Sequence, residues 1–278
     1  MMGLAPEEPV TSDQSLLEYF EGARLYGDDW NPDAIKRWFE EEREAYAELG
    51  AKDRSTYRYP YRALDERHLF RHLPPGRFPE VLSVGGAYGD ELLPLSGRMS
   101  RATIVEASER LKGGSVGGTP VQYVAPDPQG GLPFDSESFD LVCCLSTLHH
   151  IPNVTAVLRE MARVVRGGGV VLLREPTTSM GDWRIPRRGL TKNERGIPLD
   201  YFRTAIRGAN LRVLKETRCM NALTPRLGAF LRRDAYNSRG LVLFDEFVNR
   251  LLDWNKTYHA RGLIQRVRPW SVAYVLQK

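Results

Sequence analysis

Apolar residues at helical spacing dominate the start of the chain. In NPDAIKRWFEEEREAYAEL, Asn31 and Pro32 form a helix start signal. The apolar positions that follow make one stripe: Ile35, Trp38, Phe39 and Tyr46. Residues 13–26 and a segment ending near Leu73 also predict helices, and Pro74-Pro75-Gly76 then interrupts the pattern. The sequence therefore predicts a helical region before residue 77.

The pattern changes after Pro79 to short apolar runs separated by helical or loop stretches, which is typical of a parallel sheet built from βαβ units. Strands are predicted at Glu80–Val84, Ala102–Glu106, Val121–Val124, Phe139–Leu145, Gly169–Arg174, near Leu211–Thr217 and at Ser271–Lys278. Helices are predicted at Asp90–Leu95, Thr155–Val165 and Leu199–Arg207. This alternation indicates an α/β fold.

An insert of about 50 residues separates the last two predicted strands. Its segment LVLFDEFVNRLLDW places six apolar residues at helical spacing: Leu241, Phe244, Phe247, Val248, Leu251 and Leu252. Such a face packs into a core, closes over a substrate or binds a second subunit, so a homo-oligomer stays open.

Composition describes a globular chain of 278 residues, 42% of them hydrophobic. No apolar run approaches the roughly 18 residues that span a bilayer, and the acidic start does not resemble a secretory signal, so we expect a cytoplasmic protein. Cys143 and Cys144 share an apolar strand, and Cys219 stands alone. We expect buried thiols and no metal site.

The net charge of +4 is unevenly distributed. Residues 1–80 hold 11 basic and 17 acidic residues, whereas residues 176–278 hold 20 basic and 8 acidic residues. The basic third either faces an anionic partner, such as nucleic acid or a phosphorylated small molecule, or covers the acidic start of the chain. The charge pattern alone leaves both alternatives open.

The stretch VLSVGGAYGDE contains the first candidate binding site. Gly85, Gly86 and Gly89 lie between a predicted strand and a predicted helix, where a ligand can approach the backbone. Glu106 ends the next strand 21 residues after Gly85, a spacing at which a carboxylate accepts hydrogen bonds from ribose hydroxyls. The two features together predict a nucleotide-like ligand.

S-adenosylmethionine suits this stretch better than a dinucleotide. The G-x-G-x-x-G fingerprint is absent, because Ala87 and Asp90 occupy its second and third glycine positions. An acid at Asp90 would also repel a pyrophosphate and attract a cation.

Residues 77–176 resemble the class I S-adenosylmethionine-dependent methyltransferases, especially the small-molecule group that includes ubiquinone and menaquinone methyltransferases. Four segments carry the resemblance in order: VLSVGGAYG, TIVEAS, LPFDSESFDLVCCLSTLHHIPN and LREMARVVRGGGVVLLREP. The resemblance implies a Rossmann-like sheet of seven strands, the last antiparallel, with S-adenosylmethionine bound at the carboxyl ends of the first strands.

The resemblance also implies a cofactor site and a division of the chain. The site consists of the glycine-loop residues Gly85, Gly86, Ala87 and Gly89, with Glu106 on the ribose and Asp127 near the adenine amino group. Ser83 stands where the family has an acid, so the contact to the methionine amino group is expected elsewhere. The segments are a helical extension or lid (1–76), the cofactor-binding core (77–217), a substrate-recognition insert (218–269) and the last strand (270–278).

For the reaction, the resemblance places LSTLHHIP beside the transferable methyl group. His149 and His150 are therefore candidate bases for deprotonating an acceptor hydroxyl, with His150 preferred. The alternative is that either histidine orders the loop. O-methylation of a small hydroxylated molecule, such as a sugar or natural product, is the leading interpretation. Six aromatic residues are candidates to line the acceptor pocket: Tyr57, Tyr59, Tyr61, Trp183, Trp254 and Trp270.

Other interpretations stay open. No D/N-P-P-Y/F tetrapeptide follows the fourth predicted strand, which disfavours base amino methylation, and no carboxylate cluster follows it for a metal-assisted mechanism. RNA methylation, N- or C-methylation of a natural product, and a noncatalytic binding role remain alternatives.

Overall fold

The fold is built on one mixed sheet of eight strands in a computed structural model, which describes residues 13–49 and 53–278. The strands are β1 (Glu80–Val84), β2 (Arg101–Val105), β3 (Ser115–Val116), β4 (Thr119–Val124), β5 (Phe139–Leu145), β6 (Val165–Pro176), β7 (Arg212–Cys219) and β8 (Ser271–Gln277). Their order across the sheet is β3-β4-β2-β1-β5-β6-β8-β7.

Helices and loops cover the sheet. The α-helices are α1 (Asp13–Glu21), α2 (Pro32–Glu42), α3 (Ala45–Glu48), α4 (Arg62–His68), α5 (Val154–Val164), α6 (Leu199–Gly208), α7 (Leu223–Phe230), α8 (Arg239–Leu252) and α9 (Leu263–Arg266). Three short 3₁₀ turns lie at Phe70–His72, Asp90–Leu95 and Leu148–His150.

The centre of the sheet is parallel, and its apolar strands are buried on both faces. β1 pairs in parallel with β2 and β5, and β5 pairs in parallel with β6. β8 runs antiparallel between β6 and β7. Because parallel strands end at the same edge, the loops that follow β1, β2 and β5 meet there.

The α/β fold and the antiparallel last strand are confirmed, with one difference in strand number. The two-residue β3 pairs antiparallel with β4, so the sheet has eight strands where seven were expected. The predicted helix at Asp90–Leu95 is a 3₁₀ turn that contains Pro94. The predicted helix 13–26 ends at Glu21, because Gly22 adopts a φ of +79°.

The insert 218–269 contains α7, α8 and α9, and the predicted apolar face of α8 is divided between core and surface. Leu241 and Val248 are buried, whereas Phe247 and Leu251 are about 60% exposed. The apolar residues that were predicted to share one face of α8 therefore lie on two faces, one in the core and one at the surface. The four-segment division of the chain stays a prediction.

Several basic side chains of residues 176–278 form hydrogen bonds or ion pairs with other parts of the protein. Buried Arg195 donates to five backbone carbonyl groups, those of Tyr26, Leu148, His149, Ile151 and Pro152. Arg203 pairs with Glu216. These bases therefore stabilise loops and neighbouring elements.

All three cysteines are buried and free, as expected. In the described parts of the chain, no helix combines the length and apolar character that crossing a membrane requires.

Candidate functional site

A cavity of about 170 Å³, open at its mouth, lies at the carboxyl ends of β1, β2 and β5. Val84, Val105 and Leu145 mark these strand ends on its wall. The N-terminal helices close one side of the cavity through four residues: Phe39, Glu42, Arg43 and Tyr46. The cavity is thus formed jointly by the sheet and the N-terminal region.

The glycine turn after β1 forms the floor of the cavity. Gly85 has a φ of +71°, and an added Cβ there would lie 2.2 Å from Thr147. A Cβ on Gly86 would lie 2.2 Å from Oε1 of Glu91 and 2.4 Å from Oγ of Ser83. Backbone angle and space therefore both favour glycine at position 85, and space favours it at position 86.

Glu91 lies beside Ser83, the position at which the resemblance leads us to expect an acid. The Ser83 hydroxyl donates a 2.6 Å hydrogen bond to Oε1 of Glu91, and both residues line the cavity. Burial is the main cause that raises the pKa of Glu91 to about 8. Asp90, which was expected to attract a cationic ligand, instead pairs with Arg54 at 2.7 Å and does not line the cavity.

Glu106 lies where the sequence placed it, on the cavity wall after β2. Its Oε2 accepts a hydrogen bond from the Ala87 N–H at 2.9 Å, and its Oε1 accepts one from the Ser108 N–H at 3.0 Å. Each carboxylate oxygen retains further acceptor capacity for a hydroxyl group. Burial raises the pKa of Glu106, and these backbone donors oppose the increase.

The remaining predicted cofactor residues divide into two groups. Asp127 and Ala87 line the cavity, and Asp127 accepts a hydrogen bond from the Gln129 N–H at 2.9 Å. Gly89 does not line it, because it packs against Ile104 and Val116. The position of Gly89 indicates a packing role.

His149 is buried beside the cavity and does not line it. Its Nδ1 lies 2.7 Å from Oε2 of Glu175, and its Nε2 lies 3.6 Å from Oε1 of Glu194. Burial lowers the pKa of His149, but the two carboxylates outweigh that effect and raise it to about 9. These contacts describe a buried ion-pair network that orders the loop after β5.

His150 lines the cavity, and its Nδ1 lies 3.0 Å from Oε2 of Glu42 in α2. Burial raises the pKa of Glu42, but hydrogen bonding and the charge of His150 lower it overall. The Trp38 indole N–H donates to the His150 carbonyl at 2.7 Å, so α2 fixes both the backbone and the ring of this histidine.

Folding brings carboxylates from distant parts of the chain to the two histidines. The sequence next to the histidines contains no carboxylate. His149, His150 and Glu194 each place one potential metal ligand atom within 4.8 Å of the others. However, Nδ1 of His149 already contacts Glu175, and Nδ1 of His150 already contacts Glu42.

Five aromatic residues form one wall of the cavity, and three of them come from the segment between α3 and α4. Tyr57, Tyr59 and Tyr61 line the cavity, together with Phe39 and Tyr46. None of the three predicted tryptophans lines it: Trp183, Trp254 and Trp270. Trp183 instead stacks on Phe20 and Tyr26, so that part of the pocket prediction does not match the structure.

Comparison with known proteins gives a match for the segment that carries the glycine turn and the loops after β2 and β5. The family profile of a methyltransferase domain matches residues 82–173. The chain contains a class I S-adenosylmethionine-dependent methyltransferase domain. The match covers β1 through most of β6, including the glycine turn, Glu106 and both histidines.

Two curated relatives share parts of this region. A demethylmenaquinone methyltransferase from Roseiflexus castenholzii is 34% identical over 114 residues, which are 37% of this chain and 48% of that protein. A 27-O-demethylrifamycin SV methyltransferase from Amycolatopsis mediterranei is 48% identical over 42 residues, 15% of each chain. The chain therefore spans at most about half the length of these relatives.

A solved structure extends the likeness to the fold. An S-adenosylmethionine-dependent methyltransferase from Mesorhizobium loti aligns with a TM-score of 0.52 at 14% identity, covering 78% of this chain and 98% of that one. The methyltransferase fold therefore extends beyond the matched domain.

The residues of the cavity suit S-adenosylmethionine, the cofactor of this domain class. The glycine turn allows close approach of a ligand, and Glu106 retains acceptor capacity for ribose hydroxyls. The carboxylate of Glu106 suits a ligand with cationic groups and would repel a pyrophosphate.

Proposed function

We propose that this protein is an S-adenosylmethionine-dependent methyltransferase that methylates a hydroxyl group of a small molecule, such as a sugar or natural product. The observation that carries the proposal is that Glu106 and His150 line one cavity, whose floor is the glycine turn. A cofactor-binding carboxylate and a candidate base thus face the same space.

In this proposal, the cofactor supplies a methyl group already activated on a sulfonium. Glu106 holds the ribose, and Asp127 lies on the adenine side. Because Glu42 engages Nδ1 of His150, the neutral ring keeps its proton on Nδ1 and leaves Nε2 to accept the proton of the acceptor hydroxyl. His149 acts as a positioning residue, because Glu175 and Glu194 hold its ring outside the cavity.

The acceptor class is supported by the cavity wall and by one relative. Five aromatic side chains line the cavity: Phe39, Tyr46, Tyr57, Tyr59 and Tyr61. Such a wall suits a flat or cyclic acceptor with polar substituents. One relative is named as acting on a rifamycin oxygen, and another as a menaquinone-pathway enzyme, so phenolic and quinol acceptors belong in the screen.

The first test is cofactor binding measured by thermal unfolding. A ligand present at 100 times its Kd stabilises the folded state by about 2.7 kcal/mol. We expect S-adenosylmethionine and S-adenosylhomocysteine to raise the Tm, NAD to leave it unchanged, and Glu106→Ala to remove the effect. The surface variant Glu109→Ala is the control. No shift of the wild-type protein with either ligand would refute the proposal.

The second test is transfer of a labelled methyl group to sugars, phenols, quinols and an RNA. We expect His150→Gln to lower kcat for the accepted hydroxyl compound by about 100-fold or more while cofactor binding persists. Methylation of carbon, nitrogen or RNA instead would overturn the acceptor assignment and leave the cofactor assignment intact.

A further inference from the structure

Glu91 is a buried carboxyl group on the cavity wall without a cationic partner in residues 13–49 and 53–278. Its residue is 5% exposed, and the side-chain hydrogen bond that it accepts comes from the neutral hydroxyl of Ser83. An isolated buried carboxylate is costly, so this group must carry a proton or meet a cation supplied from elsewhere.

Within residues 13–49 and 53–278, the surroundings of Glu91 add negative charge and no unpaired arginine. Asp90 and Glu106 both disfavour its ionisation. Four further groups interact electrostatically with Glu91, and each is either neutral or, when it loses its proton, anionic: Tyr57, Tyr59, Tyr123 and Cys143. In the described part of the chain, the arginines that line the cavity or approach Glu91 are already paired: Arg43 with Glu40, Arg54 with Asp90 and Arg174 with Asp65.

The glycine turn places this carboxyl group at the point of ligand approach. An added Cβ on Gly86 would lie 2.2 Å from Oε1 of Glu91 and would fill the space between turn and carboxyl group. Glu91 therefore faces the backbone segment on which a ligand rests, although it belongs to the following 3₁₀ turn.

We propose that Glu91 is the subsite for a primary ammonium group of the ligand, and that its proton leaves to solvent as the ammonium enters. This inference rests on the proposed function, which makes the group the α-ammonium of the cofactor's amino-acid tail. An ammonium offers three N–H donors to a carboxylate with free acceptor capacity, whereas a sulfonium offers none. The neutral acid loses one proton, an ion pair forms, and no other bond changes.

Proton release on binding tests the subsite in the wild-type protein. Calorimetry at pH 7 in buffers of different ionisation enthalpy compares S-adenosylhomocysteine with 5′-methylthioadenosine, which lacks the amino-acid tail. Since burial holds the pKa of Glu91 at about 8, we expect nearly one proton released per S-adenosylhomocysteine and none per 5′-methylthioadenosine. S-adenosylhomocysteine affinity should rise about tenfold per pH unit between pH 6 and pH 7.5.

The variant Glu91→Gln keeps the shape of the side chain and removes its charge. We expect it to lose at least tenfold in S-adenosylhomocysteine affinity, to release no proton and to bind 5′-methylthioadenosine within twofold of wild type. Glu109→Gln, at an exposed residue that does not line the cavity, is the control and should leave both affinities unchanged.

The outcomes separate this inference from the proposed function. Binding of both ligands without proton release, or an equal loss of both in Glu91→Gln, would overturn the ammonium subsite while leaving cofactor binding established. Failure of both ligands to bind the wild-type protein would overturn the proposed function and the subsite together. If Glu91→Gln does not fold, the wild-type proton count decides the question.

Discussion

The Nδ1 atom of His150 lies 3.0 Å from Oε2 of Glu42, a residue 108 positions earlier in the chain. The histidine follows the central strand β5, and the glutamate ends the N-terminal helix α2. The candidate base and the carboxylate that orients it therefore come from two regions, which are joined only in the folded protein. This pair makes the N-terminal helices part of the site.

Glu42→Gln tests this pair directly. The neutral amide is a weaker acceptor for the Nδ1 hydrogen bond than the carboxylate. The tautomer that leaves Nε2 unprotonated is therefore less strongly favoured. We expect kcat for methyl transfer to fall about tenfold or more, with the Kd for S-adenosylhomocysteine unchanged. Initial rates at saturating cofactor measure the effect. Glu41→Gln, which alters an adjacent surface pair with Lys192, should retain activity; equal losses in both variants would contradict the role of Glu42.

The buried pair Asp65–Arg174 gives a stability prediction. Arg174 Nε lies 2.6 Å from Oδ1 of Asp65, and both side chains are 1% exposed. Removing one partner leaves an uncompensated buried charge, so Asp65→Asn should lower the free energy of unfolding by about 3–5 kcal/mol. Urea unfolding at 25 °C measures the change.

A double variant and a surface control sharpen that test. Asp65→Leu combined with Arg174→Met removes both charges and should recover most of the loss. Arg62→Met breaks the exposed pair with Glu66 and should cost less than about 1 kcal/mol. Asp65→Leu and Arg174→Met are also measured singly, and losses that simply add in the double variant would contradict a compensated ion pair.

His149 predicts how stability depends on pH. Burial opposes protonation, but Glu175 and Glu194 raise the pKa to about 9 in the folded protein, against about 6.5 when unfolded. This stabilisation is complete below pH 6.5 and is lost as pH rises through about 9. The contribution of His149 to the free energy of unfolding should therefore fall by about 3 kcal/mol over that range. Glu91, whose pKa burial raises to about 8, adds to the fall as pH rises to that value.

Urea unfolding between pH 6 and pH 9.5 checks this slope, and the imidazole ¹⁵N shifts of His149 identify the titrating group. Glu194→Gln should flatten the slope because one of the two carboxylates is removed. The surface variant Glu109→Gln should leave it unchanged. A wild-type slope that persists unaltered in Glu194→Gln would assign it to another group.

Gly86→Ala tests the space beside Glu91. The added methyl group would lie 2.2 Å from Oε1 of Glu91 and 2.4 Å from Oγ of Ser83, so the carboxyl group must move. We expect a stability loss of about 1–3 kcal/mol and at least tenfold weaker S-adenosylhomocysteine binding. Gly208→Ala is the control, since a Cβ there meets no atom within 4 Å. Unchanged ligand affinity in Gly86→Ala would show that the Ser83–Glu91 contact is dispensable.

Local pattern predicted most of the sheet. The strands around Val81–Val84 and Leu141–Leu145 are continuous apolar runs, because both faces of a central parallel strand are buried. The sequence did not predict β3, because the two residues Ser115–Val116 are too few to show the alternation of apolar and polar positions of a strand. The apolar face of α8 was assigned too broadly, because spacing alone does not show which side of a helix meets the core.

The sequence by itself determined the α/β class, the glycine turn, the carboxylate at Glu106 and the histidine-bearing loop, because each depends on residues close together in the chain. Only the tertiary structure decided that Glu91 lies beside Ser83, that Glu42 engages His150, and that His149 is excluded from the cavity. Contacts across 108 positions, as between Glu42 and His150, leave no local period or spacing. They arise when helices pack over the strand ends, where buried polar groups must find partners.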